Sequence, residues 1–282
     1  MGENRRDPIV THSAAELRFL DDLKALPMAS GTLMNVLGVL NDHHSPAQRV
    51  ADALQTDPAL CARILKLVNS PAYGLAGKIK SVDRAVIALG RSTVRALALS
   101  ESAGLFAGGR SSLPPKYWEH SAAVAVTTSL LARQARIPTA DAMCAGLMHD
   151  LGAALLHQRD PICYVGLLQE PESLTKKEHD MFGCDHARLT RLAFSVWGLP
   201  GDIASAISFH HQPQDSYFDP LAHLIAAGEA LAYEVLGEAV HFGEPAGDLE
   251  LALDSLHLRP NSVEILRTQI EDSASSLGVA LE

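Results

Sequence analysis

An imidazole and a carboxylate stand side by side at His149-Asp150, directly after seven residues, Ala142 to Met148, that carry no charge and are small or apolar on every side. Such a run suits a helix buried all round. Burying a histidine or an aspartate without a partner is unfavourable by on the order of several kcal/mol, so each needs one. A divalent metal would satisfy both residues; so would a structural arrangement in which the aspartate caps a helix and the histidine bonds a backbone carbonyl.

Other segments offer the same chemistry. His120 shares a helix face with Ala123, Val124, Thr127 and Leu131. His186 stands in a row with Phe182, Leu189, Ala193 and Val196. Glu229 completes the face formed by Leu221, Leu224, Ile225 and Ala232, and His210-His211 closes a short helix that starts at Asp202. Singly, each has a structural reading as a satisfied core residue. Jointly, His120, His149, Asp150, His186, His210, His211 and Glu229 suit a metal centre inside a helical bundle, holding one or two divalent transition-metal ions. Imidazole with carboxylate favours iron, manganese, zinc or nickel over calcium. The remaining histidines, His12, His43, His44, His157, His179, His223, His241 and His257, read as surface or local residues; His179 stands out only by preceding His186 by two turns.

The elements that must position these groups are helical, and no alternating strand pattern is evident. Ser45-Pro46 and Asp57-Pro58 each set a capping side chain before a proline, which predicts helices over 46–54 and 58–69. In the second, Leu60, Ile64, Leu67 and Val68 form the apolar stripe. Ser81 is placed to cap 82–89, which ends at Gly90, and Ser92 to cap a helix reaching about Leu105. Gly108 to Pro115 is the clearest break in composition. Helices are expected over 117–135 and 176–196, the latter stopped by Trp197-Gly198-Leu199-Pro200. The division that results is a flexible tail at 1–16, an N-terminal helical lobe at 17–110, a metal-binding helical lobe at 111–240, and C-terminal helices at 241–282 with Val263, Leu266, Ile270 and Leu277 turned to the bundle.

Composition bounds the function. A chain of 282 residues, 47% hydrophobic and 20% charged, is an ordinary soluble globular protein of one large or two smaller domains. Cys61, Cys144, Cys163 and Cys184 are far apart, which argues against a disulfide framework or a thiolate zinc site. With no leader-like start and no apolar run long enough for a bilayer, a cytoplasmic location and no membrane contact are expected. Net charge is +3 over residues 1–110 and −13 over 111–282. The acidic second half disfavours general nucleic-acid binding but leaves room for a small phosphate ligand at a metal.

Residues 17–240 resemble the HDOD domain, a relative of the HD and HD-GYP metal-dependent phosphohydrolases. The resemblance rests on Leu26-Pro27, Asp57 to Leu60, Asn69 to Gly74, Ser81-Val82, Ala85 to Gly90, Trp118 to Ser121, Ala145 to Gly152, Gly183 to Ala187, Trp197 to Pro200 and His210-His211, in that order. It implies an all-α fold, a helical N-terminal lobe packed on an HD-domain-like bundle, and a role as a bacterial signalling or regulatory module. It also implies that His149 and Asp150 are the HD pair, that His120 and His186 are the ligands before and after it, and that His210-His211 is the double histidine of HD-GYP relatives.

Several positions depart from those relatives. Ala153 stands where a lysine follows the HD pair, Lys116 where a carboxylate adds a ligand for extra iron, and Glu229 where an aspartate closes the set. Gln212 to Asp215 replaces the G-Y-P segment. The resemblance thus implies a metal-binding regulatory module that acts on an unidentified signalling protein or small phosphate ligand. The alternative is a metal-dependent phosphodiesterase in which His149 and Asp150 are catalytic, on a nucleotide or cyclic dinucleotide. A second candidate surface lies on the N-terminal lobe: Arg63 and Lys66, facing away from the apolar stripe, with Asn69 and Tyr73 and the nearby Lys78, Lys80, Arg84 and Arg91. These could contact a partner, or Asn69 and Tyr73 could simply end the helix and pack the turn.

Overall fold

Asp57 accepts a hydrogen bond from the Leu60 amide at 3.0 Å with Pro58 in the first turn. The same device recurs at Asp160-Pro161, which caps Cys163 N at 3.0 Å, and at Asp219-Pro220, which caps Leu221 N at 2.9 Å. Each proline supplies a preset φ where no amide donor is needed, and each aspartate satisfies an amide that the first turn leaves open. Repeated starts of this kind, with no strand among the described residues, give an all-α chain as expected.

The computed structural model describes residues 13–25, 31–42, 44–69, 75, 77–102, 113–169, 173–217, 219–237, 242, 248–259 and 263–272. The first six helices are α1 (Ala14–Ala25), α2 (Gly31–Asn41), α3 (Ala47–Leu54), α4 (Pro58–Val68), α5 (Val82–Leu89) and α6 (Arg91–Ser102). After them come α7 (Tyr117–Ala135), α8 (Thr139–Met148), α9 (Leu151–Arg159), α10 (Pro161–Leu168) and α11 (Leu174–Phe182). The last four are α12 (His186–Val196), α13 (Gly201–Ser208), α14 (Pro220–Leu236) and α15 (Leu249–Ser255). The buried apolar residues of the early and late helices join in one core. Arg95 of α6 donates to the carbonyl of Trp197 at 2.5 Å, and α1 rests on α12. Val263, Leu266 and Ile270 are buried as expected; Leu277, Tyr73 and the break at 108–112 lie outside the described residues. No described helix is long and apolar enough to cross a membrane.

Local boundaries differ from expectation for identifiable reasons. The first helix starts at Ala14, three residues early, because Ser13 and Glu16 form a reciprocal capping box: Ser13 N donates to Glu16 Oε2 at 2.7 Å and Glu16 N to Ser13 Oγ at 3.1 Å. Ser45 does not cap α3; its hydroxyl donates to Asp42 at 2.9 Å, and Pro46 occupies the cap position. Ser81 occupies the cap of α5 but its side chain makes no cap bond to a helix amide, and Ser92 lies inside α6 rather than before it. The single helix expected over 176–196 is two. Gly183, at φ +74°, ends α11, and Asp185 starts α12 by accepting from Arg188 N at 2.8 Å. A left-handed glycine stops a helix, and a capping aspartate two residues later restarts one.

Two glycines bring the ligand-bearing helices close. A β-carbon on Gly152 would lie 2.1 Å from the His186 carbonyl oxygen, and one on Gly228 would lie 2.2 Å from Thr128 Oγ1. Hydrogen at these positions lets α9 reach the first turn of α12, and lets α14 lie on α7.

Candidate metal centre

His149 directly follows α8 and Asp150 directly precedes α9, so the pair sits at the junction of two buried helices, 0% and 4% exposed. His120 comes from the first turn of α7, His186 from the first residue of α12, His210 and His211 from the turns after α13, and Glu229 from the middle of α14. All seven residues singled out as candidate ligands meet at one centre. Helix ends do most of this work, because a side chain in a first or last turn can project beyond the helix.

The Asp150 carboxylate lies in the middle. Its Oδ2 is 3.4 Å from the Nε2 of both His120 and His149. Its Oδ1 is 3.3 Å from His186 Nε2 and 3.7 Å from His210 Nε2. His120 and His149 bring their Nε2 atoms within 3.1 Å of each other, and His186 and His211 within 2.8 Å. Glu229 Oε1 is 4.0 Å from His120 Nε2. Ligand atoms of three groups, His120/His149/Asp150, His149/His210/Glu229 and His186/His210/His211, fall within 4.8 Å of one another.

Outer contacts fix which nitrogen faces inward. His149 Nδ1 bonds the Gly146 carbonyl at 2.8 Å, and His210 Nδ1 bonds the Ile207 carbonyl at 2.7 Å. A carbonyl only accepts, so each Nδ1 carries the hydrogen and each neutral ring turns the Nε2 lone pair to the centre. Burial holds both rings neutral: it lowers the pKa of His149 to about 4 and that of His210 to about 3, and takes His211 well below its usual value. His210 Nε2 is buried and makes no hydrogen bond. Asp150 is ionised; burial would raise its pKa, but His149, His186 and His120 outweigh that and hold it well below 3.8. Lone pairs and an anion converging in a desolvated space fit a cation, and the reluctance of His149 and His210 to protonate makes a metal ion a better fit than a proton. The chain thus has His/carboxylate clusters able to bind a metal.

Two residues of this centre escaped the sequence reading. Glu178, fully buried, accepts from His186 Nδ1 at 2.7 Å, from the His186 amide at 2.9 Å and from the Tyr164 hydroxyl at 2.6 Å. Burial would lower the pKa of His186, yet Glu178 and then Asp150 reverse that and raise it to about 10. Glu178 lies in the charged run Lys176 to Asp180 and reads as solvated; its spacing of four from the buried Leu174 is the signal that could have found it. Thr190, also buried, accepts from Gly152 N at 2.8 Å and bonds the carbonyls of His149 and His186, tying the two ligand segments together.

Other expectations change. Of the eight histidines read as surface or local, His157 and His223 are buried, because the helix stretches that carry them, 151–157 and 222–232, are buried on every face; His44, His179 and His257 are exposed, and His12, His43 and His241 lie outside the described residues. Lys116 is exposed, at φ 63° before α7. Ala153 is fully buried in the apolar core. The second candidate surface lies on α4, away from these ligands in the chain. Lys66 is exposed and Arg63 half-buried, whereas the Asn69 amide donates to the carbonyls of Leu65 and Ile79 and accepts from Ile79 N. Arg91 is turned inward too, its guanidinium donating to the carbonyls of Val39, Leu40, Asp42 and Ser45, so it does not belong to that surface.

Comparison with known proteins agrees with this architecture. A proposed phosphohydrolase of Shewanella amazonensis superposes with a TM-score of 0.73 at 22% identity, over 96% of this chain and 99% of that one. A proposed signal transduction protein of Marinobacter aquaeolei superposes with a TM-score of 0.67 at 23% identity, over 95% of this chain and 64% of that one. An uncharacterized protein of Treponema pallidum is 24% identical over 200 residues, 68% of this chain; the chain spans 38% of that relative's length. The HDOD domain family matches residues 26–213, a stretch that holds the HD pair, the four other candidate-ligand histidines His120, His186, His210 and His211, and every helix from α2 to α13. On that match, and on the all-helical fold around the HD pair, the chain belongs to the HDOD domain family.

Proposed function

We propose that this protein is a regulatory module of the signal-transduction type, built around a divalent transition-metal centre and acting through a bound protein or a small phosphate ligand. The observation that carries this reading is the Asp150 carboxylate, with one oxygen facing His120 and His149 and the other facing His186 and His210. His120, His149 and Glu229 would hold one ion, His186, His210 and His211 a second, and Asp150 would serve both. When bound, the ions supply Lewis acidity and a fixed positive charge in a desolvated site. Iron, manganese, zinc and nickel all suit such donors.

The chain's own residues support regulation over rapid turnover. Ala153, buried and neutral, offers no cation to a phosphate or to the charge that develops in its transition state; losing one such contact lowers rate by about a hundredfold or more. Phosphodiester hydrolysis remains the second reading, with His149 and Asp150 at its centre, because seven candidate ligands meet there. The surface of Arg63 and Lys66 is a second candidate partner contact.

The test is elemental analysis of purified protein with a phosphodiesterase assay on wild type and His149→Ala. Bound transition metal with little turnover is expected in wild type, and metal loss in the variant. Brisk turnover that His149→Ala abolishes would favour the enzyme; a wild type that binds no metal would remove the centre from both readings.

A further inference from the structure

Of the residues assembled at the centre, His211 is the half-buried one that also lines a cleft. That cleft, about 380 Å³, lies between α11, the first turns of α12 and the segment following α13, and its size is that of a small-molecule site. On one wall stand Arg188 and Arg191, three residues apart on α12 and therefore on neighbouring positions of one face. Thr175 and Gln212 add neutral polar groups, and Phe209 adds an apolar surface.

Among the lining residues two arginines stand against one carboxylate, Asp185. Arg188 is 56% exposed at its side chain and lies 3.5 Å from Glu16 of α1. Asp185 also lines the cleft, but one of its carboxylate oxygens caps the amide of Arg188. Arg191 is exposed and has no ion pair with a described residue. Two guanidiniums, the one of Arg191 without an ion pair to a described residue, thus stand beside the candidate ligand His211 in a half of the chain that carries a net charge of −13. Guanidinium groups bind the oxygens of phosphoryl groups through paired N–H donors, and hydroxyl and amide groups from other directions suit a tetrahedral anion better than a planar carboxylate.

We propose that the cleft between His211 and Arg191 binds a small phosphoryl-bearing molecule, with its phosphoryl oxygens on Arg188 and Arg191 and its remaining oxygen toward the ion position at His186, His210 and His211. The part played by the ion rests on the metal-centre reading; the arginine contacts stand apart from it. The missing lysine at Ala153 is thereby offset by cations from a different helix, placed for binding at the mouth rather than beside Asp150.

The experiment uses inorganic phosphate as the probe, on the full chain, by calorimetric titration of Mn²⁺-loaded and EDTA-stripped protein. Wild type is compared with Arg191→Gln, Arg188→Gln and the double variant, with acetate as control anion. All these side chains are exposed, so the fold should tolerate the changes, and manganese content is measured in parallel. Arg191→Gln is expected to weaken phosphate at least about tenfold and the double variant about a hundredfold, with manganese content unchanged and acetate unbound. Phosphate bound near manganese should also show fast ³¹P relaxation in wild type. Arginine-dependent phosphate binding in a protein that takes up no metal would keep the cleft and discard the metal centre. Phosphate that binds the loaded double variant as tightly as wild type, or that does not bind wild type at all, would overturn the cleft and leave the metal centre as it stands.

Discussion

Glu178 grips His186 twice, through the ring at 2.7 Å and through the backbone amide at 2.9 Å, and so fixes both the position of α12's first residue and the direction of its imidazole. Outer-shell carboxylates of this kind typically contribute about 10- to 100-fold to metal affinity. Glu178→Gln, which keeps the shape and loses the charge, should weaken metal binding about tenfold. Glu178→Ala, which also strands the Tyr164 hydroxyl, should weaken it further and lower stability by about 2–3 kcal/mol. Metal titration and thermal melts of the two variants check both effects; equal affinities in wild type and Glu178→Ala would deny Glu178 a positioning role.

Asp150 faces both histidine pairs, whereas His211 faces one side only. Asp150→Asn should therefore strip all bound metal, and His211→Ala only the share held beside the cleft. Metal-to-protein ratios by mass spectrometry separate these outcomes, since a centre with a single ion held equally by all ligands would respond alike to both changes.

Gly152→Ala should be the most damaging glycine-to-alanine change among the described residues. Its β-carbon would meet backbone at 2.1 Å, an obstacle that moves only if α9 and α12 separate, so a loss of about 3 kcal/mol or more and a parallel loss of metal are expected. Gly228→Ala meets chiefly the Thr128 hydroxyl, and Thr128→Ala should restore much of what it loses. Denaturant melts of the three variants read the difference.

The metal-free protein should have a stability maximum near pH 6.5. Below that, unfolded His149 and His210 bind protons that their folded forms refuse until about pH 4 and about pH 3, so stability falls as pH falls. Above it, folded His186 keeps a proton up to about pH 10 that the unfolded chain releases near 6.5, so stability falls as pH rises. Melts of EDTA-treated protein across pH 4–10 trace both limbs. His186→Gln should flatten the alkaline limb and leave the acid limb.

What the sequence determined by itself was the helical class and most of the inward faces, which depend on local spacing. The helical class follows from capping aspartates before prolines and from the absence of alternation. The stripe Leu60, Ile64, Leu67 and Val68, and the inward faces of His120, His186 and Glu229, follow from a period near 3.6 residues. The uncharged run before His149-Asp150 announced a buried helix, and the ordered motifs pointed to the family. Only the tertiary structure decided how the ligands share Asp150, because that depends on where α7, α12, α13 and α14 cross, and the crossings are set by contacts such as Gly152 on His186 that link residues far apart in the chain. The same holds for Glu178, hidden in a run of charges until α11 packed it against Tyr164 and His186, and for Asn69 and Arg91. The sequence offers Asn69 both as a surface contact and as the end of its helix, and Arg91 as part of the surface; in the fold Asn69 ends α4, and both side chains satisfy backbone atoms that would otherwise lack partners.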